Sequence, residues 1–312
     1  MSSTVRPATA EVRSLDEARA AQLLPDRSPR AHKGSHGRLV CVAGSLDYAG
    51  AALLAGLAAA RVGAGLVALA VPAAVQSVVA GRVPELVTLG LPDDAEAAQE
   101  MIAGRRPSAL LVGPGLAEGR DQAALAQGLV RGRTPIVLDG GALNLLAASG
   151  EWWPETGAAV LTPHPGEFGR LTGSAVGDDD DERLERCASA ARHFGHVVVL
   201  KGARTVVAAP DGRLARAPFE NPALASAGTG DVLAGAVAGL LAQGMAPFEA
   251  ACLAVYLHGA AGEQISARLG DSGLLASDLP VEMALVRAQL SRRSARAAAA
   301  VGFGRRAGQE AS

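Results

Sequence analysis

The sequence predicts an α/β fold with a mainly parallel central sheet that is covered by helices on both faces. Two observations predict it. Short runs that are apolar at nearly every position alternate with longer Ala- and Leu-rich stretches of helical pattern. Strands that are buried on both faces are apolar throughout, and parallel strands need a crossover between them, which is usually a helix.

The predicted elements follow one another along the chain from residue 38. The first strand, 38–43, ends at Gly44-Ser45, and an Ala/Leu-rich helix follows at 51–61. Pro72 opens the next helix, because proline fits the first helical turn. Asp211-Gly212 is a hairpin turn between two short strands. Further strands are predicted at 66–71, 85–89, 109–112, 135–138, 158–161, 197–200, 206–209 and 214–217, and further helices at 94–103, 120–130, 142–148, 232–243 and 247–264.

Length and composition restrict the class of protein. The 312 residues, 49% of them hydrophobic, are enough for one large core or two modest ones. A net charge of −2 gives no reason to expect nucleic acid or an anionic membrane as a partner. No apolar run approaches the roughly 20 residues of a membrane helix, and residues 1–30 lack the apolar stretch of a secretory signal. We therefore expect a soluble, cytoplasmic domain of the size of an enzyme.

Three regions are predicted along the chain. Residues 1–30 form an N-terminal extension, residues 31–288 the main domain, and residues 289–312 a disordered tail rich in arginine and alanine. The three cysteines lie far apart in apolar or helical surroundings. An odd number without close spacing argues against a disulfide framework and against a zinc site.

One short segment indicates an anion site. The run Gly228-Thr229-Gly230-Asp231 passes directly into the apolar helix predicted at 232–243. Backbone amides and the positive end of a helix dipole then point at one place, which suits a phosphate. An aspartate there makes sense if it takes a proton from a hydroxyl that attacks the phosphoryl group. Alternatively, the glycines shape a turn and the aspartate caps a helix.

Residues with distinctive chemistry stand where predicted strands end. They are the glycines of Gly113-Pro114-Gly115, then Asp139, His164 and Lys201. In open parallel sheets ligands bind at the carboxyl ends of the strands, so these segments should converge on one crevice. The chain has only two lysines, Lys33 and Lys201, and a glycine follows each. A compact ammonium beside a flexible backbone suits a ligand site; the alternative is that both lysines survive by chance.

The motifs together resemble a known family, the ADP/ATP-dependent NAD(P)H-hydrate dehydratases of the ribokinase-like superfamily. The resemblance runs from about His32 to Leu279 and covers the order and spacing of the motifs. It implies a ribokinase-like three-layer α/β/α fold. The motifs are Gly44-Ser45, Gly50-Ala51-Ala52, Gly63-Ala64-Gly65-Leu66-Val67, Pro84-Glu85, Gly113-Pro114-Gly115-Leu116, Thr162-Pro163-His164-Pro165-Gly166-Glu167-Phe168, Leu200-Lys201-Gly202-Ala203-Arg204-Thr205 and the stretch 221–235.

The resemblance implies a repair reaction on damaged nicotinamide nucleotides. The family restores NADH or NADPH from the (S) epimer of the C6 hydrate. A nucleotide, here expected to be ADP giving AMP and phosphate, phosphorylates the C6 hydroxyl, and phosphate is then eliminated. Mg²⁺ as cofactor, a functional link to an NAD(P)H-hydrate epimerase and a homo-oligomer, expected to be a tetramer, are further implications. This chain resembles the stand-alone form rather than the form fused to an epimerase.

The resemblance also implies roles for individual residues. Asp231 is the catalytic base, and no metal ligand is assigned. Ala51, Gly115, His164 and Asp231 bind the hydrate. The nucleotide is bound by Lys201, Gly202, Ala203, Arg204, Thr205 and Gly230, and the phosphate loop consists of Gly228, Thr229 and Gly230.

One departure from the family pattern bears on activity. The family commonly has Val-Leu-Asp-Ala-Asp-Ala-Leu-Asn, whereas this chain has glycine at position 141 in place of the second aspartate. If that carboxylate holds substrate or Mg²⁺, activity is reduced. Since Asp139 and Asn144 are retained, we expect an active enzyme. A smaller departure is Ala117, which replaces a usual glycine.

Two alternative functions remain open at this point. One is a ribokinase-like kinase of a vitamin-precursor alcohol such as hydroxymethylpyrimidine or hydroxyethylthiazole. This hypothesis does not explain the motif at 162–168. The other is a catalytically weak nucleotide-binding or sensor protein, for which Gly141 is the argument. His258 is interpreted as a core histidine, and the acidic run 178–181 as the start of a helix.

Overall fold

Ten strands form a single sheet in the computed structural model, which describes residues 12–293 except for the side chain of Lys33. The strand order is β1-β10-β9-β8-β7-β6-β5-β2-β3-β4, and within the described residues only β9 runs antiparallel to its neighbours. The strands are β1 (Val12–Ser14), β2 (Arg38–Val42), β3 (Leu66–Pro72), β4 (Val87–Leu91), β5 (Ala109–Val112), β6 (Ile136–Leu138), β7 (Ala159–Leu161), β8 (Val197–Leu200), β9 (Val206–Ala208) and β10 (Leu214–Arg216).

Helices cover both faces of this sheet. On one face the buried side chains of α1, α2, α3, α9, α10 and α11 share a core with the strands, and on the other face those of α4 to α8 do so. The helices are α1 (Glu17–Gln22), α2 (Ala49–Arg61), α3 (Ala73–Ala80), α4 (Ala95–Ala103), α5 (Arg120–Val130), α6 (Gly141–Ala147), α7 (Pro165–Thr172), α8 (Asp180–Phe194), α9 (Thr229–Ala242), α10 (Pro247–Leu269) and α11 (279–293). The predicted α/β fold is confirmed.

Close packing of α2 on α9 positions the start of α9. A Cβ atom on Gly239 would lie 2.7 Å from the Cα of Ala59, and one on Gly235 would lie 2.7 Å from the carbonyl carbon of Ala55. Because glycine has no side chain, the two helix backbones can approach to this distance. The first turn of α9, which carries Asp231, is therefore held against the sheet by a closely packed helix pair.

The structure differs from the predicted elements in several places. The strand predicted at 85–89 is found two residues later, since Pro84 and its neighbours form a turn after α3. The N-terminal extension contains β1, which pairs in parallel with β10, and α1, which Asp16 caps. Residues 289–293 of the predicted disordered tail continue α11, because Leu290 is buried in the core. Residues 1–11 and 294–312 lie outside the described part of the chain.

No helix between residues 12 and 293 is both long enough and apolar enough to span a membrane.

Candidate active site

Two of the predicted hydrate-binding residues, Ala51 and Gly115, follow the neighbouring strands β2 and β5, where the order of the strands in the sheet reverses. Strands β2 and β5 are neighbours, and the chain leaves them toward opposite edges, which is the usual place for a ligand crevice. A Cβ atom on Gly115 would lie 2.7 Å from the Cβ of Ala51. With a φ of 62°, Gly115 also has a backbone conformation that favours glycine. Ala51 and Gly115 therefore meet at the carboxyl edge of the sheet.

His164 begins α7 and is held by Glu167. The Nδ1 atom of His164 accepts hydrogen bonds from the amides of Gly166 (3.0 Å) and Glu167 (3.3 Å), which leaves the proton on Nε2. Glu167 Oε2 accepts from the His164 amide at 2.8 Å, and Oε1 lies 3.4 Å from Nε2. This reciprocal capping box fixes the ring while half of the His164 side chain stays exposed.

Lys201 stands at the end of β8 among buried acids. Its Nζ lies 2.7 Å from Asp139 Oδ1 and 3.9 Å from Glu167 Oε2, and the Thr162 hydroxyl donates to the same Asp139 oxygen at 2.7 Å. Burial acts to lower the pKa of Lys201, but the charges of Asp139 and Glu167 outweigh it and the pKa is raised. Burial raises the pKa of Glu167, and Lys201 opposes this. Lys201 is therefore a fixed ammonium.

The first turn of α9 meets this lysine. A Cβ atom on Gly230 would lie 3.2 Å from the Nζ of Lys201. The amides of Gly228, Gly230 and Asp231 donate to no atom of the described residues, so they are available to an anion. Thr229 differs from the prediction, because its hydroxyl donates to the carbonyl of Leu224 at 2.7 Å and its amide to Ser226.

Asp231 has the electrostatics of a base that works near neutral pH. Burial raises its pKa to about 7, with a further contribution from the charge of Asp139, while Lys201 acts in the opposite direction. A carboxylate with such a pKa can take a proton from an alcohol and release it again near pH 7. The predicted catalytic residue thus lies beside the predicted nucleotide residue Lys201, at the amide end of α9.

A cavity of about 520 Å³ opens beside this helix start. Lys201, Gly202 and Gly230 are among the residues that line it. Phe219, Leu224 and Val255 contribute apolar side chains to the same lining. An apolar pocket of this size that leads to free amides and a lysine has room for a nucleoside with its phosphates at the amide end.

His258 is a core histidine that supports the same turn. Its Nε2 lies 3.0 Å from the carbonyl oxygen of Thr229 and donates to it. Burial lowers the pKa of His258 to about 4, so the ring stays neutral at physiological pH. The structure agrees with the interpretation of His258 that the sequence suggested.

The predicted nucleotide segment, 201–205, is held by residues that the sequence analysis did not assign to the site. Arg204 donates to Asp180 at 2.9 Å and to Glu220, which lines the cavity, at 3.0 Å. Asp180 belongs to the acidic run that we interpreted as a helix start, and it also binds Arg216. The acidic residues at the start of α8 indicated a helix start. No local pattern in the sequence indicates that Asp180 contacts Arg204, which is 24 residues away.

The absence of a side chain at position 141 has a steric consequence. A Cβ atom on Gly141 would lie 3.0 Å from the carbonyl carbon of Leu116 and would overlap its oxygen. Leu116 directly follows Gly115, so the loop that carries a predicted substrate residue packs on the bare backbone of α6. The loop and Gly141 fit one another in this chain.

Comparison with known proteins places the chain in a family. A family model described as NAD(P)H-hydrate dehydratase matches residues 39–284. The chain belongs to the NAD(P)H-hydrate dehydratase family. The resemblance inferred from the motifs is therefore confirmed.

Individual family members give the extent of the similarity. The chain is 41% identical over 278 residues to a bifunctional NAD(P)H-hydrate repair enzyme of Moorella thermoacetica, with 86% of this chain and 52% of the relative covered. The chain thus spans about half the length of such bifunctional relatives. It is 37% identical over 256 residues to the ADP-dependent (S)-NAD(P)H-hydrate dehydratase of Bacillus subtilis, with 82% and 91% covered.

A solved structure of the family confirms the fold. The crystal structure of the ADP/ATP-dependent NAD(P)H-hydrate dehydratase from Bacillus subtilis, co-crystallised with ATP and Mg²⁺, matches with a TM-score of 0.81 and 33% identity. The match covers 90% of this chain and 99% of the other. The three-layer α/β/α fold is accordingly ribokinase-like, as the motifs implied.

Proposed function

We propose that the protein dehydrates the (S) epimer of the NADH or NADPH C6 hydrate, with ADP converted to AMP and phosphate. One observation supports this most strongly. A carboxylate whose pKa is raised to about 7, Asp231, lies at free helix amides beside the Lys201 ammonium and a nucleotide-sized cavity. That set suits phosphoryl transfer to an alcohol, and the hydrate is the alcohol on which the Bacillus subtilis relative is named to act.

The first step is the transfer of a phosphoryl group. The C6 hydroxyl oxygen attacks the β-phosphorus of ADP, Asp231 takes the hydroxyl proton, and AMP leaves with the electrons of the broken P–O bond. Negative charge spreads over the transferring oxygens, and the amides of Gly228, Gly230 and Asp231 with the Lys201 ammonium stabilise it. The amides need no reorganisation, because α9 holds them in place.

The second step is an elimination. Hydroxide is a poor leaving group at neutral pH, whereas phosphate is a good one. The lone pair of the ring nitrogen breaks the C6–O bond, phosphate leaves, and loss of the C5 proton restores the dihydronicotinamide. His164, with a proton on Nε2, and the loops that meet at Ala51 and Gly115 would bind the hydrate ring.

The remaining nucleotide contacts follow from the cavity. Gly202, Ala203 and Thr205 line it together with Lys201, and Arg204 donates a hydrogen bond to Glu220, which also lines it. The apolar walls suit an adenine ring, which offers large faces for packing.

A magnesium ion carried by the nucleotide fits the chemistry of the site. Between residues 12 and 293 no group of three or more His, Cys, Asp or Glu side chains forms a metal cage. Mg²⁺ usually keeps several waters and binds one or two carboxylates together with substrate phosphates. Glu167, whose Oε2 lies 3.9 Å from the Nζ of Lys201, would serve in this way. When bound, the ion would offset the charge of the phosphate oxygens.

The wider setting of the reaction follows from the substrate. An epimerase would supply the (S) hydrate, which agrees with the bifunctional repair enzymes among the relatives. We extend the proposal to a cytoplasmic homo-oligomer, with a tetramer as the expected state. Light scattering on a size-exclusion column tests the tetramer, and a monomer at micromolar concentration would contradict it.

The decisive experiment supplies the purified protein with ADP, Mg²⁺ and hydrated NADH. Recovery of the absorbance band of the reduced nicotinamide, with one AMP formed per NADH, supports the proposal. A kinase of a vitamin-precursor alcohol would leave the band unchanged and consume that alcohol instead. A sensor protein would bind ADP without turnover of either substrate.

We expect kcat/KM for the hydrate to increase with pH and to level off above about pH 7. The pKa of Asp231 is raised to about 7, and its protonated form cannot accept the hydroxyl proton. Asp139→Asn removes a charge that raises this pKa, so the inflection should move to lower pH. The exposed Glu100→Gln serves as the control and should leave the profile unchanged. An inflection that stays in place in Asp139→Asn would contradict the electrostatic argument.

Gly141→Asp should lower activity rather than restore it. A Cβ atom at position 141 would overlap the Leu116 carbonyl, so the loop with Gly115 must move, at a cost of about 1–3 kcal/mol in stability. Gly141→Ala should behave alike, because the cause is steric. Gly169→Ala, where a Cβ would make only ordinary contacts, is the control. Thermal unfolding and the KM for the hydrate measure both effects; higher activity in Gly141→Asp alone would favour the sensor hypothesis.

A further inference from the structure

Arg183 is a buried arginine whose hydrogen bonds go to backbone carbonyls. Only 4% of the residue is exposed. Its Nη2 donates to the carbonyl of Lys201 at 2.9 Å and to that of Leu200 at 3.4 Å, while Nη1 donates to Gly177 at 3.4 Å. A buried cation is costly unless its donors are satisfied. Its donors point to the peptide groups from which Lys201 projects.

The same guanidinium fills the space next to Gly202. A Cβ atom on Gly202 would lie 2.9 Å from the Cζ of Arg183 and would overlap Nη2. The sequence interpretation was that this glycine allows a ligand to approach the backbone. The structure gives another reason for glycine at position 202, because the guanidinium of Arg183 occupies the space that a side chain there would need.

Asp180 holds the other end of the same segment. It lies one turn before Arg183 on α8 and accepts hydrogen bonds from Arg204 at 2.9 Å and Arg216 at 3.2 Å. Two side chains from the first turns of one helix therefore hold residues 201 and 204. A rigid helix supports a loop more firmly than neighbouring loops would.

We propose that Arg183 is a positioning residue for nucleotide binding. It donates to the carbonyls of Leu200 and Lys201 and so fixes the backbone from which the Lys201 ammonium projects. It also packs against Gly202, which lines the cavity. The inference rests on the proposed function only in the identity of the ligand. The planar guanidinium of an arginine can donate to three carbonyls at once. A lysine ammonium, which is a compact point charge on a shorter side chain, does not reproduce this set of contacts.

The experiment compares Arg183→Met and Arg183→Lys with Arg192→Met, an exposed arginine on the same helix. Calorimetry gives the Kd for ADP, steady-state kinetics the KM for the hydrate, and hydrogen exchange the opening of residues 201–205 without nucleotide. We expect Arg183→Met to raise the Kd for ADP at least about tenfold, with faster exchange and a nearly unchanged KM for the hydrate. Arg183→Lys should be intermediate and Arg192→Met like the wild type.

A double-mutant cycle separates positioning from a general loss of folding. Gly202→Ala should by itself weaken ADP binding, since its Cβ displaces the guanidinium. In the Arg183→Met background the same change should have a smaller effect, because the overlapping group is gone. Additive effects, or an Arg183→Met variant with wild-type Kd and exchange, would overturn the inference. A wild type that does not bind ADP would refute the proposed function, and exchange at 201–205 would then decide about Arg183.

Discussion

Asp231→Asn should lower kcat by at least about a thousandfold, because asparagine cannot take the proton of the attacking hydroxyl. The Kd for ADP should stay within a few-fold of the wild type, since the amides of α9 and Lys201 remain. Single-turnover measurement of hydrate dehydration with saturating ADP checks the chemical step. Glu100→Gln, on the exposed face of α4, is the matched control for loss of a carboxylate. A variant with near-normal kcat would exclude Asp231 as the base.

The same variant should be more stable than the wild type at high pH. The pKa of Asp231 is raised from its ordinary value of 3.8 to about 7 in the folded protein. The folded state therefore holds the proton more tightly than the unfolded state, and ionisation destabilises the fold as the pH rises through this range. Asp231→Asn removes that cost, so the gain in Tm should be larger at pH 8 than at pH 5. An equal gain at both values would contradict the raised pKa.

Lys201→Met should have the second largest effect, with kcat lowered by about a hundredfold and ADP binding weakened. The phosphoryl oxygens lose their ammonium, and the acids around it lose their counter-charge. Asp139, with a side chain 3% exposed, would be left as a buried charge at a cost of about 3 kcal/mol in stability. Because Lys201 lowers the pKa of Asp231, the residual activity should also have its inflection at higher pH.

A double variant separates the two roles of Lys201. In Lys201→Met/Asp139→Asn the uncompensated carboxylate is gone, and Thr162 can still donate to the amide oxygen that replaces it. We expect thermal stability to return toward that of the wild type while activity stays low. Recovery of activity together with stability would mean that Lys201 serves the fold and not the phosphate.

Much of the fold was predictable because its signal is local. The strands β5 and β8 are apolar and buried at every position, so alternation with helices was enough to predict a parallel sheet. β1 was missed, because three exposed residues that pair only at the edge of the sheet carry no periodic signal. Residues 289–293 were wrongly predicted to be disordered for a related reason. The prediction rested on the Arg- and Ala-rich composition of residues 289–312, which does not indicate that Leu290 packs on the core.

The candidate site was also predictable only in part. Its candidate residues could be proposed from the sequence, because a short glycine-rich turn before a helix and acidic or basic residues at strand ends have few other uses. The residues that they contact could not be predicted. The ion pair of Lys201 with Asp139 joins residues 62 positions apart, and no spacing in the chain encodes such a distance.

The sequence by itself determined the family and the alternation of strands and helices, and it supplied the residues proposed to carry the chemistry, since each of these depends on neighbours along the chain. The tertiary structure decided the pKa of Asp231, the pairing of Lys201, the fit of Gly141 against Leu116 and the support of Gly202 by Arg183. Burial and charge act through space, so these properties exist only once distant segments are packed together.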